Sequence, residues 1–267
     1  MSVWLVMPSK RPPEEAEPVL AKWREMGYKV CVQRDETEQP PTFLPREMWP
    51  AGTPQWDGVY VWWRPYSGYA EAVNFLAKDL LAFDPDCDWI VAAGDDTLPD
   101  RNKTAHEIAR ECSEHFWKLH VMSPGMKEVD RRKKTFGVMQ PTGDPWTQKR
   151  FGVEQKIIEQ IAGSPWMGRE WCLRANQGKG PLWPGFFHMW PDECLQVVAQ
   201  QLGVFWQRPD LTHMHRHWGR PREGERLGQL SRMPAFLARA NSPAQTTLDK
   251  AEFDRLKAEG FKSCLPL

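Results

Sequence analysis

From Trp89 to Ala93 the chain runs Trp-Ile-Val-Ala-Ala without a polar interruption, then Gly94-Asp95-Asp96, then Thr97-Leu98-Pro99. Strands buried on both faces read as continuous apolar runs rather than as polar–apolar alternation. Ligands in open α/β sheets bind beyond the carboxyl ends of such strands. Two adjacent carboxylates at that edge repel each other unless a cation lies between them. Oxygen donors of this kind suit Mg²⁺ or Mn²⁺ held jointly with the phosphates of a ligand. Asp is also common in turns, so the same residues read as a solvated strand-to-turn junction.

The flanking segments extend the pattern. Val3–Met7 is apolar and is stopped by Pro8-Ser9-Lys10-Arg11-Pro12-Pro13. A helical period from about Glu14 puts Val19, Leu20, Trp23 and Met26 on one face and ends at Gly27. Strands are predicted at Tyr28–Gln33 and Gly58–Trp63, around a Pro-rich excursion, and a helix over 69–81. This β-α-β-β-α-β order predicts an α/β fold, a mostly parallel sheet with helices on both faces. Further on, the spacing predicts a helix over 104–116, a strand over Lys134–Gln140, and a short helix over 153–162. Gly163–Pro191 reads as loop, a helix opens at Asp192-Glu193, and a strand covers Val204–Gln207. After about Gly219 the chain is polar and helical, which predicts a small appendage or lid.

Lys plus Arg and Asp plus Glu both number 35, so no global field drives the chain onto nucleic acid or membrane. No apolar segment is long enough to span a bilayer and no N-terminal signal is present, which predicts a cytoplasmic protein without a membrane partner. The six cysteines show no Cys-x-x-Cys spacing and read as reduced, buried thiols. The 15 tryptophans are several times the usual share. Core packing explains most of them, and stacking surface for a ligand is the alternative for the rest. His213, His215 and His217 would share one face of a strand, which favours a metal site or a polar edge.

In order and spacing these motifs resemble the nucleotide-sugar glycosyltransferases of the GT-A (Rossmann-like) fold, family-2-like, closest in style to phage-encoded, DNA-modifying members. Pro8-Ser9-Lys10-Arg11 matches the turn after the first strand, and Asp35 the Asp that holds uracil or ribose. Gly68 and Asn74 match the helix before the metal strand. Asp95 and Asp96 match the last two carboxylates of the metal motif, whose first Asp is here Ala93. Pro191-Asp192-Glu193 matches the catalytic base at a helix start, with Glu193 as understudy, and His213 or His215 the late metal ligand. Gln140-Pro141-Thr142-Gly143-Asp144 is similar in style to the phage-encoded members. The resemblance covers 1–218 as the glycosyltransferase domain and leaves 219–267 as a helical extension.

It implies a metal-dependent, inverting hexosyltransferase that uses Mn²⁺ or Mg²⁺ and a UDP-sugar donor. Lys10 and Arg11 would add charge-assisted contacts to the diphosphate, or form a solvated basic turn. Asp192 would take the acceptor's proton, or serve only as a helix N-cap. The acceptor is left open. Arg131–Lys134 and Arg216–Arg226 with nearby Trp suit a nucleic-acid groove and a 5-hydroxymethylated pyrimidine in DNA, and a saccharide or protein acceptor is the alternative. Two other classes compete: a metal-dependent hydrolase using His213 and His215, and a non-catalytic Trp-rich binding module.

Overall fold

A computed structural model describes residues 1–35, 54–56, 58–121, 134–144, 163–216, 233 and 235–267. The strands are β1 (Ser2–Pro8), β2 (Lys29–Arg34), β3 (Pro54–Trp56), β4 (Val59–Trp63), β5 (Cys87–Ala92), β6 (Thr97–Leu98), β7 (Val138–Pro141), β8 (Trp166–Gly168), β9 (Phe205–Arg208) and β10 (Met214–His215). The helices are α1 (Pro13–Glu25), α2 (Tyr69–Phe83), α3 (Ala105–Val121), α4 (Arg169–Gly178), α5 (Pro191–Gln201) and α6 (Pro243–Ala258).

Eight strands form one sheet in the order β3-β4-β2-β1-β5-β8-β7-β9. β1 pairs parallel with β2 and β5, β2 with β4, and β7 with β9, while β3–β4, β5–β8 and β7–β8 are antiparallel. Leu5 stands opposite both Val30 and Val91, so β1 is the centre of the parallel half. Every residue of β5 and the five central residues of β1 are buried. Because strand side chains alternate between faces, both faces are covered, as the apolar run required.

The chain leaves β1 through α1 to β2 on one side, and β5 later fills the other. Strand order therefore reverses at β1, and the crevice beyond the carboxyl ends of β1 and β5 is a topological switch point.

Local chemistry sets the helix limits. α1 opens with Pro13 and has Glu14 and Glu15 in its first turn and Lys22 and Arg24 in its last, each complementing the helix dipole. Its Trp23 Nε1 donates to the Thr97 carbonyl at 2.7 Å and anchors the turn that carries the Asp pair. At the end of α2, Asp84 accepts from Ser2 Oγ (2.8 Å), Trp4 Nε1 (2.8 Å) and Lys29 Nζ (2.7 Å). Burial opposes its ionisation, but those three partners hold its carboxyl well below the usual range.

The segment Gly163–Pro191, expected to be loop, contains β8 and α4. β8 is only three residues long and inserts between β5 and β7. Its Gly168 is a packing glycine, since a Cβ there would lie 2.0 Å from the Thr135 carbonyl oxygen. α4 leaves helical geometry at Ala175, and Asn176 and Gln177 have φ of 53° and 59°. The expected strand over Lys134–Gln140 begins only at Val138. The expected helix over 153–162 lies outside the described residues, as does most of the Pro-rich excursion.

Within the expected 219–267 extension, residues 219–232 and 234 lie outside the described residues; its helix α6 and the segment after it pack into the main core, where Leu256, Phe261 and Cys264 are buried in the cluster that holds β1 and β5. All six cysteines are buried thiols. Trp4, Trp23, Trp89, Trp166 and Trp171 are fully buried, so core packing accounts for them. No described helix is long and apolar enough to cross a membrane.

Candidate active site

The turns that follow β1, β2 and β5 open onto one cleft of about 530 Å³. Pro8, Ser9, Lys10 and Arg11 line it from β1, Asp35 from β2, and Asp95 and Asp96 from β5. Asp192 of α5 and His215 of β10 complete the sequence-derived set on its walls.

Asp95 is held from two sides, for Ser9 Oγ donates to Oδ2 at 2.6 Å and Arg11 Nε donates to Oδ1 at 2.8 Å. Arg11 Nη2 also lies 3.8 Å from Asp96 Oδ2. Arg11 thus lies against both carboxylates of the pair. Asp96 meets His215 as well, with Nε2 3.2 Å from Oδ1. β10 is placed there by antiparallel pairing with β6, His215 opposite Thr97, and by the Arg216 amide donating to the Asp96 carbonyl at 2.6 Å.

These donors fit a hard divalent ion in kind: two carboxylates and an imidazole at one edge. Among the described residues no group of three or more His, Cys, Asp or Glu is arranged to hold a metal ion by itself. An ion there would need oxygens from a ligand, as phosphates provide.

His213 is a correction. It is 4% exposed, its Nδ1 is 3.0 Å from Ser164 Oγ, and its ring meets Trp23 edge-on at 5.1 Å. β10 spans only two residues and starts after His213, so the period-two argument does not reach it. Burial pushes its pKa down to about 3, with Asp100 opposing weakly. It is a neutral core imidazole and does not line the cleft. His217 lies outside the described residues.

Asn74 and Gly68 also stand off the cleft, in supporting positions. Asn74 is buried and pairs with one backbone unit, donating to the Leu182 carbonyl at 2.8 Å and accepting from the Leu182 amide at 2.9 Å. Gly68 has φ 123°, and a Cβ there would lie 2.7 Å from the Phe187 carbonyl oxygen.

Asp192 occupies the first turn of α5, but Trp190 is the N-cap residue and no side chain caps the helix. The reading of Asp192 as an N-cap is therefore set aside. Its Oδ1 accepts from the Glu193 amide at 3.0 Å. Burial raises its pKa, while that amide, its own amide and His188 pull the other way. Glu193 lies beside it, off the cleft, its pKa raised by burial and then by the Asp192 charge.

The cleft residues that sequence reasoning missed include Tyr66, Tyr69, His188, Trp190 and Arg239. The Tyr69 phenol is held neutral by burial first and then by the charges of Asp192, Tyr66 and Asp96. Burial pushes His188 down, against the pull of Asp192 and Asp249. Trp190 adopts φ 65°, a left-handed conformation costly for a side-chain-bearing residue. Tyr66, His188, Trp190 and Arg239 sit on connecting segments, where no periodicity marks them, and Tyr69 opens α2, where the helical period reads as core packing.

Of the two basic stretches, Lys134 and Arg216 are described and the remaining arginines and lysines are not. Lys134 Nζ lies 4.5 Å from the ring centre of Trp117.

No protein-family model matches the chain, and no curated protein matches it. Among solved structures it is similar to the "crystal structure of a glycosyltransferase involved in the glycosylation of the major capsid of PBCV-1", with a TM-score of 0.29 and 8% identity. The match covers 64% of this chain and 61% of that chain, so the alignment spans about three-fifths of the solved protein. At that level the likeness carries no argument about activity.

Proposed function

We propose that this chain is a metal-dependent glycosyltransferase that moves a sugar from a UDP-sugar to an acceptor hydroxyl, with inversion. The observation that carries this reading is the meeting, at one switch-point cleft, of Asp95 and Asp96 after β5 with the raised-pKa carboxylate of Asp192 at the start of α5.

A hydroxyl is a weak nucleophile until a base takes its proton as the new bond forms. A carboxylate with a raised pKa is better matched to that task than an ordinary one, which favours Asp192. Ser9 and Lys10, on the turn after β1, stand where a diphosphate would lie. Asp35 at the end of β2 is offered to the nucleoside. Asp95, Asp96 and His215 would hold Mn²⁺ or Mg²⁺, which when bound supplies Lewis-acid stabilisation of the leaving diphosphate.

For the acceptor we propose a 5-hydroxymethylated pyrimidine in DNA, reached through Arg131–Lys134 and Arg216–Arg226, with a saccharide or protein hydroxyl as the alternative. Mass spectrometry of nucleosides after incubation with UDP-sugars decides between them. The hydrolase reading loses a ligand with His213 in the core.

The test is a thermal-shift panel of UDP, GDP and UDP-sugars with and without Mn²⁺. UDP should stabilise the protein only when Mn²⁺ is present, and Asp96→Asn should abolish the effect. No shift with any nucleotide would leave a binding module and overturn the reading.

A further inference from the structure

Helix α6 presents Asp249, Glu252, Phe253 and Leu256 at i, i+3, i+4 and i+7, one face of a helix. That face holds the segment leading into α5. Asp249 Oδ1 accepts from the Phe187 amide at 3.0 Å, and Oδ2 accepts from the His188 and Met189 amides at 2.9 and 2.8 Å. Gln245 Nε2 adds a fourth bond at 3.0 Å. Glu252 accepts from Trp183 Nε1 at 2.7 Å, and Phe253 stacks on Trp190 at 6.4 Å.

A carboxylate that is 1% exposed is stable as an anion only when its oxygens are satisfied, and three consecutive amides do that here. From the other side the Tyr69 amide donates to the Phe187 carbonyl at 2.6 Å, and Gly68 leaves no room for a side chain there. The clamped segment runs into Trp190, held in its left-handed conformation, then Pro191 and Asp192.

We propose that Asp249 is a positioning residue for Asp192: by gathering the amides of 187–189 it fixes the strained Trp190 corner and the first turn of α5, so the C-terminal helix is the seat of the base. This rests on Asp192 being the base, and the test separates the two ideas. Asp249→Asn keeps the shape and removes the charge, while Asp249→Glu keeps the charge and displaces the oxygens. Three readouts are taken on the full chain: Mn²⁺-dependent UDP binding, UDP release from UDP-sugars, and the ¹³C carboxyl titration of Asp192, whose titratable neighbours include Tyr69, His188, Glu193 and Cys194.

Both variants should bind UDP within about twofold of wild type, because Ser9, Arg11, Asp95 and Asp96 sit on other elements. Misplacing a reacting group by about 1 Å costs on the order of a hundredfold in rate, so turnover should fall by that order at unchanged donor KM. The Asp192 titration should move down toward the ordinary carboxylate range as water reaches it. Wild-type turnover and titration in Asp249→Glu would show that charge alone matters and would overturn the proposal. If wild type neither binds UDP nor releases it, glycosyl transfer fails, and the Asp192 titration still decides: movement in both variants supports positioning and no movement rejects it. Should neither Asp249 variant fold, Phe253→Leu removes the ring that stacks behind Trp190 and also meets Phe186 and Phe261, and should produce the same pattern at smaller size; no change in its rate and titration would reject the clamp.

Discussion

His213 gives a stability prediction that can be worked from its surroundings. Its folded pKa of about 3 lies below the value of about 6.5 expected in the unfolded chain, because burial penalises the charged ring. Between those values the unfolded chain binds a proton that the folded chain refuses. The stability associated with the neutral ring is therefore complete above about pH 6.5 and is lost as pH falls toward 3. Each pH unit inside that window costs about 1.4 kcal/mol, so wild type should lose about 2 kcal/mol at this site between pH 7.5 and pH 5. At roughly 2–4 °C per kcal/mol for a chain of this size, that is about 4–8 °C in Tm. His115 and His188 are pushed down by burial as well and add to the raw loss, so the comparison must be with a variant. His213→Gln cannot be protonated and keeps a polar group near Ser164. Thermal melts of both proteins at pH 7.5 and pH 5 should show the gap between them shrinking by about 4–8 °C on acidification. Parallel curves would refute the reasoning. So would a Mn²⁺-dependent stabilisation at pH 7.5 that His213→Gln abolishes, because it would return His213 to the metal site.

Asn74→Ala strands the buried amide and carbonyl of Leu182, which should cost roughly 2–4 kcal/mol in chemical denaturation while leaving UDP affinity unchanged. Gly68→Ala forces a side chain at φ 123° against the Phe187 carbonyl. It should lower stability by about 1–3 kcal/mol and, by displacing the Trp190 corner, lower turnover more than it lowers nucleotide binding.

The parallel core was legible because its signal is continuous burial. Trp89–Ala93 and Val3–Met7 read as buried strands, and both sit at the centre of the sheet. Strand ends were legible for the same reason, which brought Ser9, Arg11, Asp35, Asp95 and Asp96 to one cleft. β8 was not, since three residues ending in a packing glycine look like the Gly- and Pro-rich loop around them. His213 misled because alternation was extended past a strand of two residues. The partnership of Asp249 with 187–189 leaves no local trace, as its donors lie some 60 residues earlier and are backbone amides. The contact of Arg11 with Asp95 and Asp96 was not legible, because the sequence cannot show which groups lie across the cleft from that turn.

The most direct measurement is UDP release from UDP-sugars, at saturating Mn²⁺ and in the presence of acceptor, by wild type and Asp192→Asn. Asn keeps the volume and hydrogen-bonding shape, and since Asp192 is not the N-cap the helix should be undisturbed. Wild type should release UDP with transfer, and the variant should bind UDP equally well but turn over on the order of a hundredfold or more slowly. Near wild-type turnover in Asp192→Asn would contradict the role of Asp192 as base, and the absence of Mn²⁺-dependent UDP release by wild type with every donor would contradict glycosyl transfer itself.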